Sequence, residues 1–169
     1  YSGGERFYMG TASSKGATVP DWSAMTGDIH VYPYKEVNAK CGFYGLLMNS
    51  GTFQPDNVEG SRTNELFADN RVILHAGAKI AVESGTRGIR IGELNTEEGS
   101  ELDGYYRKSS ASSYYIIGKK NTDGTLAGKI SASNGNKIGL IKEGSGSLTI
   151  TGNDNDINGG IRVLEGRLV

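Results

Sequence analysis

The sequence predicts an all-β protein folded as a β-solenoid, and three observations support this prediction. Gly accounts for 26 of the 169 residues, about twice the usual share of roughly 7%, and it interrupts almost every helical period. Short apolar segments alternate with polar residues at the period of a half-buried strand. Glycine markers recur at intervals that suit the length of one solenoid coil.

Six segments carry the strand pattern most clearly. Each is short, and β-branched or aromatic side chains alternate in it with polar ones, as they do on a pleated surface that is buried on one side. The predicted strands are Val72–Leu74, Lys79–Val82, Ile89–Ile91, Tyr114–Ile117, Ser147–Ile150 and Ile161–Val163.

Two markers define the repeat. The first is a glycine followed two or three residues later by an apolar residue, with copies that begin at Gly51, Gly77, Gly99, Gly124, Gly146 and Gly166. The second is Gly88-Ile89-Arg90-Ile91, which recurs three periods later as Gly160-Ile161-Arg162-Val163. We therefore expect coils of about 20–26 residues that stack on one another. A β-sandwich remains the alternative, because it also has short, regularly spaced strands.

Stacking predicts one inward ladder, with Arg90 and Arg162 pointing outward. The ladder would contain Ile80, Leu102, Leu126, Leu148 and Leu168. The chain is expected to form a single solenoid domain over residues 1–169, with irregular or N-terminal coils in 1–70 and regular repeats in 71–169. Because it begins at Tyr1 without Met, we also expect it to be a fragment of a longer protein.

Residues 138–169 have a more specific pattern. It includes Lys142, the Gly144-Ser145-Gly146 turn, the strand Leu148-Thr149-Ile150, the Gly159-Gly160 pair and the closing Gly166-Arg167-Leu168. This stretch resembles the autotransporter-associated β-strand repeat, although Ile157 stands where that family usually has an aromatic residue. The resemblance implies a right-handed β-helix in an exported bacterial surface protein, and it transfers no catalytic residue.

Composition limits the possible functions. Lys and Arg number 18 against 19 Asp and Glu, so no cationic field favours a nucleic-acid partner. The single cysteine, Cys41, excludes a disulfide framework, and its only possible base partners, His30 and His75, are expected to be exposed strand residues.

We expect no cofactor, no catalysis and no direct membrane span. The predicted role is structural or adhesive, at the extracellular or bacterial outer surface, with surface glycans or proteins of other cells as partners.

Two candidate sites remain. Tyr105, Tyr106, Tyr114 and Tyr115 could form a sugar-binding platform, and this supports the alternative function of a module that binds or degrades polysaccharide. Asp154, Asp156 and Asn158, followed by Glu165, match the spacing of a helix-flanked calcium loop. Because strands flank these residues here, we predict a solvated Asx turn, with calcium only as a weak alternative and no established metal site.

Overall fold

The fold is that of a computed structural model of the chain. It describes residues 27–32, 45–48, 54–56, 61–82, 88–105, 112–132 and 135–169. Their strands are β1 Ile29–Val31, β2 Gly45–Met48, β3 Gln54–Asp56, β4 Ser61–Leu74, β5 Lys79–Val82, β6 Gly88–Thr96, β7 Glu101–Tyr105, β8 Ser112–Ile117, β9 Gly124–Leu126, β10 Lys129–Ser131, β11 Lys137–Lys142, β12 Ser147–Ile150, β13 Ile161–Val163 and β14 Arg167–Leu168. No α-helix occurs in these ranges. All six predicted strand segments are confirmed.

The strands form a three-sided β-solenoid. Face A contains the first halves of β4 and β6, followed by β8, β11 and β13. Face B contains β1, the second halves of β4 and β6, and then β9, β12 and β14. Face C contains β2, β5, β7 and β10. Within the described chain every pairing is parallel except that of β3 with β4, which confirms the solenoid and excludes the sandwich.

The strand registers define the coils. Residues 61–82, 88–105 and 112–131 each supply a strand to all three faces, and partial coils lie on either side of them. The glycine marker at Gly88 and Gly160 is confirmed, because Ile89 connects to Ile161 in register through Tyr115 and Leu140.

Coil length varies from place to place. Among the coils that follow β4, the shortest step joins Leu148 to Leu168, and the longest joins Thr96 to Leu126 and exceeds the predicted range.

The predicted single ladder is wrong in its membership. Ile80 pairs with Leu102 on face C, and Leu102 continues to Ile130. Leu126, Leu148 and Leu168 instead lie on face B, where Leu126 pairs with Ile150 and not with Leu148. Two inward ladders therefore face each other across the core. Both are apolar, and full burial of each such side chain contributes about 1.5–3 kcal/mol.

A buried lysine occupies the corner between faces A and B. Lys142 takes an inward position in β11 and is 1% exposed. Its Nζ donates to the carbonyl oxygens of Glu143 at 2.5 Å and Gly144 at 2.7 Å, and lies 3.4 Å from that of Glu165. Burial lowers the pKa of this ammonium, against the opposing charges of Glu165, Glu143 and Asp123. The lysine therefore satisfies turn carbonyls that the core would otherwise leave unpaired.

Glycine is required at the same corner. Gly144 has φ +71°, and a Cβ placed on it would collide with the carbonyl oxygen of Gly118 in the coil below. Gly118 and Gly166 also have positive φ angles, of 120° and 73°, at the corresponding turns. These corner glycines let successive turns stack closely.

Polar side chains also join successive coils on face B. Asn95 accepts a hydrogen bond from the Thr125 backbone N–H at 3.0 Å. Asp123 does the same for Ser147 at 2.7 Å. Each side chain belongs to one coil and each N–H to the next, so these bonds join neighbouring coils in addition to the backbone ladder.

Candidate functional site

The two histidines meet on the outer surface of face B. His30 lies in β1 and His75 directly follows β4, and the pairing of these strands brings His30 Nδ1 within 2.9 Å of His75 Nε2. The ring of Tyr32 stacks on His75 with a centroid separation of 4.1 Å and an interplanar angle of 4°. Glu97, from the next coil, contacts the other ring nitrogen of His75. We call these four residues the histidine cluster.

The carboxylate orients the cluster. Glu97 Oε2 accepts a hydrogen bond from the Ala76 backbone N–H, and its Oε1 lies 2.9 Å from His75 Nδ1. The backbone bond first, and the contact with His75 second, lower the pKa of Glu97. An ionised carboxylate only accepts hydrogen bonds, so His75 Nδ1 carries a proton. In the neutral tautomer of His75, Nε2 then accepts a hydrogen bond from His30 Nδ1.

The exposed part of the cluster is a flat aromatic surface. Tyr32 is 62% exposed, and one side of its ring is already held by His75. A ring fixed in this way loses little conformational freedom when a ligand stacks on its other side. The cluster therefore offers a rigid stacking surface with carboxylate and imidazole groups beside it.

A second polar network adjoins the cluster on face B. Glu93 is 4% exposed and accepts hydrogen bonds from Arg71 Nε at 2.6 Å, Thr122 Oγ1 at 2.7 Å and Asn95 Nδ2 at 2.8 Å. Burial alone would raise its pKa, but the hydrogen bonds from Thr122, Arg71 and Asn95 outweigh burial and lower it. These partners come from three successive coils, so the network links the coils together.

Face C carries a similar network. Lys79 Nζ lies 2.8 Å from Glu101 Oε2 and 3.2 Å from Asp103 Oδ2, and Ser131 Oγ donates to Glu101 at 2.8 Å. Burial opposes ionisation of Glu101, but the bonds from Lys79 and Ser131 lower its pKa. Hydrolysis of a glycosidic bond needs one carboxyl group that stays protonated. The partners of Glu93, Glu97 and Glu101 all favour the ionised form.

The predicted tyrosine platform is not supported at its centre. Tyr115 is fully buried, and its hydroxyl lies 2.9 Å from the Ile80 carbonyl oxygen and 2.8 Å from that of Asp103. It spans the core from face A to face C, and burial, with the charges of Asp103 and Glu101, raises its pKa well above its usual value. Tyr115 therefore cannot contact a surface ligand. Because side chains alternate along a strand, Tyr114 points outward, where it is partly buried.

Two of the candidate tyrosines and the single cysteine fall outside the side chains that the structure describes. Tyr106 lies outside the described residues, as does the side chain of Tyr105. Cys41 is also outside them, so the expectation that it has no catalytic histidine partner stays a prediction.

The weak calcium candidate lies in an exposed turn. Asp154 and Asp156 are exposed, and Asp154 has φ +57°, a conformation that Asp adopts in Asx turns. Asn158 Oδ1 accepts the Ile138 backbone N–H at 3.0 Å, so this side chain holds two parts of the chain together. Within the described residues no cluster of three or more His, Cys, Asp or Glu side chains could hold a metal ion.

Sequence reasoning missed the histidine cluster. His30 and His75 are 45 residues apart, which corresponds to two of the predicted periods, so the repeat would separate them by two coils. The structure instead pairs Ile29 with Val72, which makes them neighbours in adjacent coils. No periodic signal in the sequence indicates that β1 pairs with β4.

Comparison with known proteins gives no further assignment. No protein-family model and no curated protein matches the chain. In the described part of the chain, no helix has the length and apolar character needed to cross a membrane.

Proposed function

We propose that this chain is a non-catalytic structural and adhesive segment of an exported bacterial surface protein. The observation that carries the proposal is the use of polar side chains to join coils. Glu93, Glu101 and Lys142 each bond to groups from at least one other coil. Side chains committed in this way stabilise a rod with a continuous surface, which is what a protein that displays or holds a surface requires.

The bacterial surface location rests on the resemblance of residues 138–169 to the autotransporter-associated repeat. Two of those motif residues have a physical role, since Lys142 fills a corner and Gly144 permits the turn above Gly118. These roles explain why a stacked β-coil favours a Lys before a Gly-x-Gly turn. They support the proposed family without depending on any catalytic residue.

The non-catalytic role is tested by incubating the chain with a panel of plant and bacterial polysaccharides. We expect no new reducing ends and no unsaturated products. The proposal would be overturned by sustained product formation that is lost in Glu101→Gln or Asp103→Asn. The matched control, Glu98→Gln, should keep that activity. Glu98 is an exposed carboxylate at a turn, so its substitution leaves the face C network intact.

Polysaccharide binding is a second candidate function, and the histidine cluster favours it. Tyr32 is 62% exposed and stacks on His75, with His30 and Glu97 nearby as hydrogen-bonding groups. Electrophoresis in gels containing polysaccharide would detect such binding as retarded migration. We expect Tyr32→Ala to abolish the retardation and Tyr32→Phe to preserve most of it, because the stacking surface remains. Equal migration of the protein and both variants in all gels would exclude this candidate.

A further inference from the structure

The hydrogen-bonded series Glu97–His75–His30 permits only certain protonation states. Glu97 fixes a proton on His75 Nδ1, so the 2.9 Å contact between His75 Nε2 and His30 Nδ1 needs His30 to donate and His75 to accept. A neutral imidazole has one donor and one acceptor, whereas an imidazolium has two donors and no acceptor. The bond between the two rings therefore requires a neutral His75.

The first proton that the histidine pair takes up leaves this bond in place. It binds the other nitrogen of His30, Nε2, and His30 Nδ1 continues to donate to His75. A charged donor strengthens the bond. The second proton has to bind His75 Nε2, which is the acceptor. Two N–H groups then face each other across 2.9 Å, and no hydrogen bond can join them.

The neighbouring charges determine which ring moves when both are charged. The backbone bond from Ala76 first, and the contact with His75 second, lower the pKa of Glu97 from 4.5, so Glu97 is still ionised at about pH 5 and holds a charged His75 in place. Asp28 and Glu93 are instead bound to Arg71, at 3.4 Å and 2.6 Å. His30 is therefore the ring that moves. The described titratable and charged groups around the pair are Asp28 and Tyr32 beside β1, Arg71 in β4, Glu93 in β6, and Glu97 and Glu98 after β6.

We propose that the His30–His75 bond is an acid-sensitive switch on β1, intact with no proton or one added proton on the pair and broken when both rings are charged. β1 has only three residues, so few backbone bonds hold it to β4. His30 is its middle residue and Tyr32 directly follows it, so breaking the bond loosens the strand that positions the exposed Tyr32 ring. Imidazole is the side chain that changes charge between about pH 5 and 8, and the switch therefore responds to mild acidification.

Hydrogen exchange of one backbone amide reports the state of this switch. The His75 N–H donates to the Val31 carbonyl oxygen at 3.0 Å. The Ala127 N–H makes the matching bond to Thr96 in a later coil, at 3.1 Å, and serves as the internal control. After correction for the intrinsic effect of pH on exchange, we expect the protection of the His75 amide to fall about tenfold between neutral pH and about pH 5. The Ala127 amide should keep its protection.

His30→Asn is the variant that isolates the switch. An amide side chain can donate from Nδ2 to a neutral His75 or, after a flip, accept at Oδ1 from a charged one. We therefore expect this variant to keep the protection of the His75 amide at both pH values. The matched control is Thr125→Asn, on the exposed outer side of β9, which should keep the acid response. Circular dichroism checks that both variants are folded.

Three results would overturn the proposal. They are full protection of the His75 amide at about pH 5, an equal loss of protection at Ala127, and an acid response in His30→Asn as large as in the unaltered protein. The first two need no substitution. The inference does not rest on the proposed function, so a chain that shows the switch but binds no surface would overturn only the adhesive role.

Discussion

The coil that contains β11 and β12 and the coil that contains β13 and β14 have the same strand positions but very different burial. Leu140 and Leu148 are each 1% exposed. Their partners in the last coil, Ile161 and Leu168, are half-exposed and partly buried, respectively. The difference teaches that an inward position is buried by the next coil as much as by its own, as expected for a structure in which neighbours supply the core.

The largest effect should distinguish the two coils directly. Leu140→Ala removes a buried side chain between two coils and should lower the free energy of unfolding by about 2–5 kcal/mol. Ile161→Ala, at the matched position, should cost much less because its side chain is already half-exposed. Urea unfolding of both variants at low protein concentration measures the difference. An equal loss of unfolding free energy in the two variants would contradict the lower burial of Ile161.

Substitution of the corner lysine, Lys142, should lower the free energy of unfolding by a smaller amount. Lys142→Met keeps most of the apolar stem but leaves the carbonyl oxygens of Glu143 and Gly144 without their donor. We expect a loss of about 1–3 kcal/mol, the range for unpaired buried polar groups. Lys129→Met is the control, since Lys129 is exposed in β10. If both variants unfold at the same urea concentration, the carbonyl contacts do not stabilise the corner.

The smallest effect concerns pH. The pKa of Glu93 in the folded chain is lowered from 4.5, so the folded state binds fewer protons than the unfolded state just below that pH. Its contribution to stability is therefore fully present above pH 4.5 and is lost as the pH falls through the folded pKa. Glu93→Gln should lower stability by about 1 kcal/mol at neutral pH and weaken the acid dependence.

The control for this pH effect is Glu98→Gln, at an exposed turn position. It should preserve the acid dependence of unfolding. The measurement is thermal unfolding across the acidic range. If the unfolding temperatures of the protein and of Glu93→Gln fall equally as the pH is lowered, the role given to the Arg71–Glu93 network is contradicted.

The sequence was sufficient to predict the solenoid and part of its register. The marker at Gly88 and Gly160 worked because the steps between its copies differ in length but together make three regular periods on one face. The marker at Gly124 and Gly146 predicts a register that is wrong by two residues. It aligns Leu126 with Leu148, whereas Leu126 pairs with Ile150. A shift of two residues keeps every side chain on its side of the sheet, so the hydrophobic pattern cannot detect it.

The site was less predictable, because it depends on which coils are neighbours. Tyr114 and Tyr115 are adjacent in the sequence and equally typical of strands, but alternation sends Tyr115 into the core. The histidine cluster forms because the chain between β1 and β4 is longer than one regular coil. Neither outcome follows from composition or from the period alone.

Register is the most direct test of the solenoid, and engineered cysteine pairs measure it. In a background of Cys41→Ser, Thr125→Cys with Thr149→Cys places two thiols on directly paired residues of β9 and β12. Paired residues in neighbouring strands are about 4.8 Å apart, within the range that a disulfide bridges. Thr125→Cys with Ser147→Cys, the pair that the glycine repeat predicts, lies two residues out of register at about 8 Å. We expect rapid oxidation of the first pair and little of the second, whereas preferential oxidation of the second pair would contradict the coil stacking described above.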